Sequence, residues 1–331
     1  MLEISELEYT VEEYLSACDM KNLSKKTLKS YDQTLRLFIK YLEENYKIKD
    51  IKQLKKIHVE NYILFTKDKG KYSYVANVKS TTNNHPQNRS DYNEKVSPST
   101  VNNYLRNIKA FLNWCTGERI IKDNVAKNVK YLKVVRRKKE QITDEEYKRL
   151  ISCLDATKFV ENRDLMIINL IFDSGMRLGE TLALTVNDID LIRKTVVVNG
   201  DNAKGKKDRA TFFSNRTSQQ LRRWIQYKDR YMESDYLFPT NRGGNLKVNN
   251  FEKNFNKYLQ LSGIKKNITP HALRNNFGRR FLLSGGDISI LSRILGHSSI
   301  ETTLKAYADL SDEDIRKIYN RHSPLENMYK D

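Results

Sequence analysis

Six side chains in the second half of this chain have the types and the order needed to hold one phosphate and attack it. Arg177 lies in S-G-M-R-L-G-E and Lys204 in N-A-K-G-K-K-D-R. His271 and Arg274 share H-A-L-R, His297 lies in L-G-H-S-S, and Tyr307 follows ten residues later. His271 and Arg274 are three apart, a spacing that puts both on one face of a helix. A phosphodiester in transfer carries negative charge on its non-bridging oxygens. Guanidinium forks match those oxygens two at a time, and preorganised cationic donors stabilise the charge without a metal. A tyrosine hydroxyl, with an ordinary pKa of about 10, is a weak nucleophile until a base or a positive field assists it. Arg177 and Arg274 supply such a field, His271 is a candidate base, and a lysine can protonate the leaving oxygen.

Each residue also has a structural reading. Arg177 can pair with Glu180 three residues on. His271 can cap its helix behind Pro270, and His297 can end a helix after Leu295-Gly296. Lys204 has Lys194, Lys206, Lys207 and Arg209 near it, and Tyr307 has Tyr319 and Tyr329 as rivals among nineteen tyrosines. The histidines lack an acid or cysteine neighbour at zinc-site spacing, and there is no phosphate-binding P-loop.

Five ordered boxes decide between these readings: S-G-M-R-L-G-E-T-L-A-L, A-K-G-K-K-D-R, H-A-L-R-N-N-F, L-G-H-S-S-I-E-T-T and A-Y. Together they resemble the tyrosine site-specific recombinases, the phage integrase family with its Xer-like members. The resemblance is close from about Ile142 to Ala308. The first half is similar only in its helical pattern. The family pattern selects Lys204 among its neighbours, selects Tyr307 after T-T-x-x-x-Y, and makes Glu180 an orienting partner of Arg177. Ala203 replaces a glycine of the family's G-K-G-x-K-x-R, Asn275 stands where many members carry a histidine, and the histidine-to-tyrosine spacing is ten where nine is usual. None of these departures removes a charge.

The resemblance implies a fold that is mainly α with a small antiparallel β-sheet. A helical, SAM-like core-binding domain (1–132) precedes a basic linker (133–141) and an α+β catalytic domain (142–331), with an exchange segment at 310–331. It implies that Tyr307 attacks the scissile phosphate, leaving a 3′-phosphotyrosyl bond and a free 5′-hydroxyl. Arg177, Arg274 and His297 then hold the phosphate oxygens, His271 assists the tyrosine proton, and Lys204 protonates the leaving oxygen. The implied partners are double-stranded DNA with specific crossover sites and further copies of the chain, four in a synapse. No cofactor is implied, because the covalent intermediate keeps the bond energy and neither ATP nor Mg²⁺ need enter. Integration or excision of a mobile element is the expected role, with chromosome dimer resolution, a type IB topoisomerase and a DNA-binding regulator with a vestigial site as the alternatives.

These residues need a scaffold, and the rest of the chain is suited to one. At 331 residues it has room for two ordinary domains. Its net charge of +18 suits a polyanionic partner. Three scattered cysteines fit a reducing compartment, and no apolar run reaches membrane-spanning length, so a soluble cytoplasmic protein is expected. Capping signals predict helices from Thr10 to about Met20, over Leu28–Leu42 and Ile57–Lys67, from Ser97-Pro98-Ser99-Thr100 to about Cys115, and a short one over Asp123–Val129. Gly70 to Ser97 is polar and breaks the helical pattern, with Tyr72, Tyr74 and Val75 as a candidate short strand. Thr143-Asp144-Glu145-Glu146 opens the second half. Lys194–Asn199 and Arg209–Ser214 read as paired strands with Lys204 at the hairpin tip. Helices are expected over Leu165–Phe172, Leu178–Leu184, Gln219–Tyr227, Asn249–Leu261, His271–Leu283 and Ile288–Leu295, and a last one after Ser311.

Overall fold

A computed structural model describes residues 5–76, 85–135, 140–200, 208–307 and 312–328. The chain divides into two compact units, residues 1–136 and 137–331.

The first unit is built from α1 (Glu6–Met20), α2 (Lys25–Tyr46), α3 (Lys56–Asp68) and α4 (Pro98–Gly117). The α1 helix starts four residues earlier than Thr10. Ser5 and Glu8 form a reciprocal capping box there, and Thr10 instead returns its hydroxyl to the Glu6 carbonyl at 2.8 Å. Ser24 and Ser97 cap α2 and α4, with Pro98 in the first turn of α4. The apolar stripes meet in one core around Phe38, Tyr62 and Phe111, with Leu35, Leu42, Ile108 and Leu112 fully buried.

Two local expectations differ from the structure. Residues 125–128 form turns, not a helix. The Asn124 side chain takes the Ala126 N–H at 2.8 Å and donates to the Lys109 carbonyl, so a side chain competes successfully with the helical ladder. Tyr72 lies in a turn, Tyr74 in a bend and Val75 in irregular chain, and among the described residues of this segment the pairing is a bridge between Gly70 and Lys95. Its described parts are nevertheless anchored. Arg89 stacks over the Tyr72 ring at 4.4 Å, and Tyr74 packs edge-on against Phe65 with centroids 5.1 Å apart.

The second unit is organised around α6 (Phe159–Ser174). Met166, Ile167, Ile168, Leu170 and Ile171 are all buried, which marks a helix enclosed on nearly every side. It packs against α7 (Leu178–Ala183), α8 (Asn215–Tyr231), α9 (Val248–Leu261) and α10 (Pro270–Leu283). The α5 helix (Asp144–Ser152) opens on the expected Thr143–Glu146 capping box. The expected hairpin is β2 (Thr195–Val198) paired antiparallel with β3 (Arg209–Phe212). A two-residue strand, β1 (Ile189–Asp190), adds a third member that sequence pattern did not reveal. The unit closes with α11 (Ile288–Leu295), α12 (Ile300–Tyr307), α13 (Asp312–His322) and α14 (Pro324–Met328).

Candidate active site

The C-terminal end of α11 is where three separate pieces of chain deliver an arginine. Arg209, on β3, donates from Nε to the Ile294 carbonyl at 3.2 Å. Arg274, in the first half of α10, donates to the Leu295 carbonyl at 2.7 Å. Arg177, at the N-cap of α7, donates to the Gly296 carbonyl at 3.3 Å. Three successive carbonyls at a helix end thus each receive a guanidinium, which satisfies orphan acceptors and matches the negative end of the helix dipole. Two glycines make the approach possible. Gly296 ends α11 with φ 64°, and a Cβ there would lie 2.7 Å from the Arg209 Cδ. Gly175 ends α6 with φ 68°, and a Cβ there would meet the Phe277 ring at 2.4 Å. Its carbonyl takes a second bond from Arg274, at 2.6 Å.

Glu180 holds two of these arginines in place. Its carboxylate takes both terminal nitrogens of Arg209 at 3.1 and 2.6 Å, Nη1 of Arg177 at 2.7 Å, and the Arg177 backbone N–H at 3.0 Å. Burial works to raise the pKa of this carboxyl, and the bonds from Arg209 and Arg177 outweigh it, so Glu180 is held ionised below the usual carboxylate range. The cluster therefore holds three guanidiniums against one carboxylate. Arg274 is 2% exposed, whereas the Arg177 side chain keeps 28% of its surface open.

His297 follows the end of α11, and its backbone N–H donates to the Ser292 carbonyl at 3.1 Å. Its Nε2 lies 3.3 Å from Nη2 of Arg274 and its Nδ1 lies 2.7 Å from the Thr303 hydroxyl. Burial, together with the nearby charges of Arg274, Arg177 and Arg209, pushes its pKa down to about 4. The ring is neutral near pH 7. A guanidinium can only donate, so Nε2 is the acceptor and Nδ1 carries the proton.

The structure brings Arg177, Arg274 and His297 together. His271 stands at the start of α10, exposed and one turn before Arg274 on the same helix. Tyr307 is the last residue of α12. Lys204 lies outside the described residues. Sequence reasoning treated Arg209 only as a charged neighbour of Lys204 and did not single out Thr303. The signal for both was present, since Arg209 ends A-K-G-K-K-D-R and Thr303 is the second threonine of E-T-T. Among the described residues, no group of three or more His, Cys, Asp or Glu side chains is placed to hold a metal ion, and no helix is long and apolar enough to cross a membrane.

Comparison with known proteins settles the family. Residues 140–314 match the model of the phage integrase family, and residues 11–84 match the phage integrase N-terminal SAM-like domain. The chain belongs to the phage integrase family. Among curated relatives, it is 28% identical over 304 residues to the tyrosine recombinase XerC of Chlamydia caviae, covering 89% of this chain and 91% of that protein. The tyrosine recombinase XerD of Oceanobacillus iheyensis is 24% identical over 324 residues, covering 96% and 99%. Among solved structures, the Tn1549 transposon integrase in complex with transposon right end DNA superposes with a TM-score of 0.70 at 18% identity, covering 94% of this chain and 98% of that one. The fold is that of the tyrosine recombinases, mainly helical with the small sheet, and the phage integrase member described here is a Xer-like enzyme that cleaves and rejoins DNA in site-specific recombination.

Proposed function

We propose that the cluster at the end of α11 is the strand-cleavage site, and that the enzyme acts on double-stranded DNA at specific crossover sites. The observation that carries this is the charge balance: three guanidiniums converge beside a neutral imidazole with one carboxylate between them. The negative end of α11 offsets only about half a charge more. The remaining positive charge suits an anion of phosphate size.

In this reading the Tyr307 oxygen attacks the scissile phosphorus. The Tyr307 O–P bond forms as the bond from phosphorus to the 5′-oxygen breaks. His271 takes the phenolic proton, and Lys204 delivers a proton to the departing 5′-oxygen. Arg177, Arg274 and His297 grip the non-bridging oxygens, where charge accumulates. Attack by the 5′-hydroxyl of a partner strand reverses the sequence and rejoins the DNA. Domain roles follow: the helical first unit binds the core of the site, the basic segment 133–141 joins the two units along the duplex, and the second unit carries the chemistry.

Assembly belongs to the same proposal. Ile315 and Tyr319 on α13 and Leu325 and Met328 on α14 are each more than half exposed. Segment 310–331 lays these side chains on a neighbouring protomer, and its cyclic exchange closes a tetramer around two DNA sites. The anchored polar excursion between α3 and α4 favours integration or excision of a mobile element, in the cytoplasm. Chromosome dimer resolution is the second reading, favoured by the likeness to XerC and XerD. Mapping covalent junctions on flanking genomic DNA separates them: junctions at the two ends of an element support the first, and junctions at one chromosomal site support the second. Tyr307→Phe tests the chemistry. It should bind DNA and form no covalent adduct, and an adduct in that variant mapped to Tyr319 or Tyr329 would overturn the assignment.

A further inference from the structure

Helical threonines in this chain usually return their hydroxyl to the carbonyl four residues back. Thr10, Thr34, Thr66, Thr116 and Thr181 all do so, at 2.8 to 3.1 Å. Thr303, fully buried on α12, instead places its hydroxyl 2.7 Å from Nδ1 of His297. The other ring nitrogen faces Arg274 at 3.3 Å. The His297 ring is therefore clamped between the helix that carries His271 and Arg274 and the helix that ends at Tyr307.

The clamp sets a chemical requirement. Without phosphate, Nε2 accepts from Arg274 and Nδ1–H donates to Thr303. To hold a phosphate oxygen, His297 must present a proton at Nε2. It can do so by gaining a second proton, and Nδ1–H then still needs an acceptor. It can also do so by moving its proton to Nε2, and Nδ1 then needs a donor. A hydroxyl is both donor and acceptor and rotates to suit, so Thr303 serves either route without movement of the backbone. An aliphatic side chain serves neither and leaves a buried ring nitrogen without a partner.

We propose that Thr303 is a positioning residue for strand cleavage: its hydroxyl fixes the plane of the His297 ring, supports the switch of Nε2 from acceptor to phosphate donor, and ties α12 to the phosphate clamp. This rests on the reading of His297 as a phosphate contact. Thr303 lies four residues, about one helical turn, before Tyr307. The same bond thus fixes the helix that brings the nucleophile and the ring that receives the charge.

The test is single-turnover cleavage on nicked suicide duplexes bearing the crossover site, measured beside DNA affinity, for Thr303→Val, Thr303→Ser, His297→Ala and the double variant Thr303→Val/His297→Ala. Thr303→Val should cleave on the order of 10- to 100-fold more slowly at unchanged DNA affinity. Thr303→Ser should recover to within about threefold of wild type, because it keeps the hydroxyl. Adding Thr303→Val to His297→Ala should slow that enzyme no further, because the threonine acts through the ring. Should the valine variant not fold, Thr303→Ala replaces it with the same ordering expected. Wild-type cleavage by Thr303→Val beside a slow His297→Ala overturns the role of Thr303 alone. Wild-type cleavage by His297→Ala overturns the underlying reading of His297. Equal slowing by Thr303→Val with and without His297 overturns the positioning role and makes the threonine a packing residue.

Discussion

Glu180→Gln is the sharpest test of how the arginines are held, because it keeps the shape of the side chain and changes its charge. The carboxylate accepts four hydrogen bonds, three from the guanidiniums of Arg209 and Arg177 and one from the Arg177 backbone. A glutamine offers one oxygen to those four donors. Its amide end points N–H groups at a guanidinium or at a backbone N–H, so at least two charge-assisted bonds are lost. At about 1.5–3 kcal/mol each, two such bonds come to about 3–6 kcal/mol, and breaking a buried ion pair from one side typically costs about 3–5 kcal/mol. We expect a loss of about 3–5 kcal/mol in urea unfolding at neutral pH. The pH dependence has a definite sign. The carboxyl is held below its ordinary range in the folded protein, so its stabilisation is complete above the unfolded value of about 4.3 and fades as pH falls through the lower folded value. The difference between wild type and Glu180→Gln should therefore narrow in acid. A difference under about 1 kcal/mol at neutral pH, the range of an exposed ion pair, would refute the reasoning. So would a gap that stays constant well below the ordinary carboxylate pKa.

The arginines and the C-terminal segment give two further expectations. Arg177→Lys and Arg274→Lys should each slow cleavage by on the order of 10²–10³ while DNA affinity changes little, because a point charge cannot replace a fork that already serves backbone carbonyls; near-wild-type cleavage in either variant would show a structural arginine. Truncation before Ser311 should leave binding to a single site largely intact and abolish recombination between two sites, and recombination at the full-length rate would show that the segment does not couple subunits.

What could be read in the sequence follows from how each feature is encoded. Helices with serine or threonine caps and an apolar stripe were legible because cap and stripe are both local; α5 begins at its expected capping box. The start of α1 was misplaced because Thr10-Val11-Glu12-Glu13 imitates a cap in the middle of a helix, while the real box at Ser5 and Glu8 precedes the first clear stripe. The Asp123–Val129 segment misled for the opposite reason: its composition permits a helix, and a single asparagine side chain captures the backbone donor that a helix would need. Strand β1 is two residues long and carries no period to detect. At the site, the order of the boxes pointed to Arg177, Arg274 and His297. It did not reveal that Arg209 shares Glu180 with Arg177, because that contact spans 29 residues and depends on how β3 crosses the end of α6.

The same geometry explains why so many separate elements converge on a site this small. A phosphate clamp needs several cations within a few ångströms of one another, and in an empty site they repel. This chain answers that repulsion with dipoles as well as with a counter-charge. Among the described residues Glu180 is the carboxylate that pairs with these arginines; the carbonyls of Gly175, Ile294, Leu295 and Gly296 take four further guanidinium donors. Backbone carbonyls hold an arginine in orientation without neutralising it, whereas further carboxylates would hold it equally well and cancel the field that a phosphate requires. The two glycines belong to this arrangement, because each ends a helix where a side chain would collide, with Arg209 at Gly296 and with Phe277 and Leu295 at Gly175. The low pKa of His297 reports the result: burial and the surrounding cations keep the ring neutral, and an arriving phosphate oxygen reverses the local charge and favours a donor at Nε2. On the proposed reading the cluster is thus built cationic, and the anion that would complete it would also switch His297 to a donor.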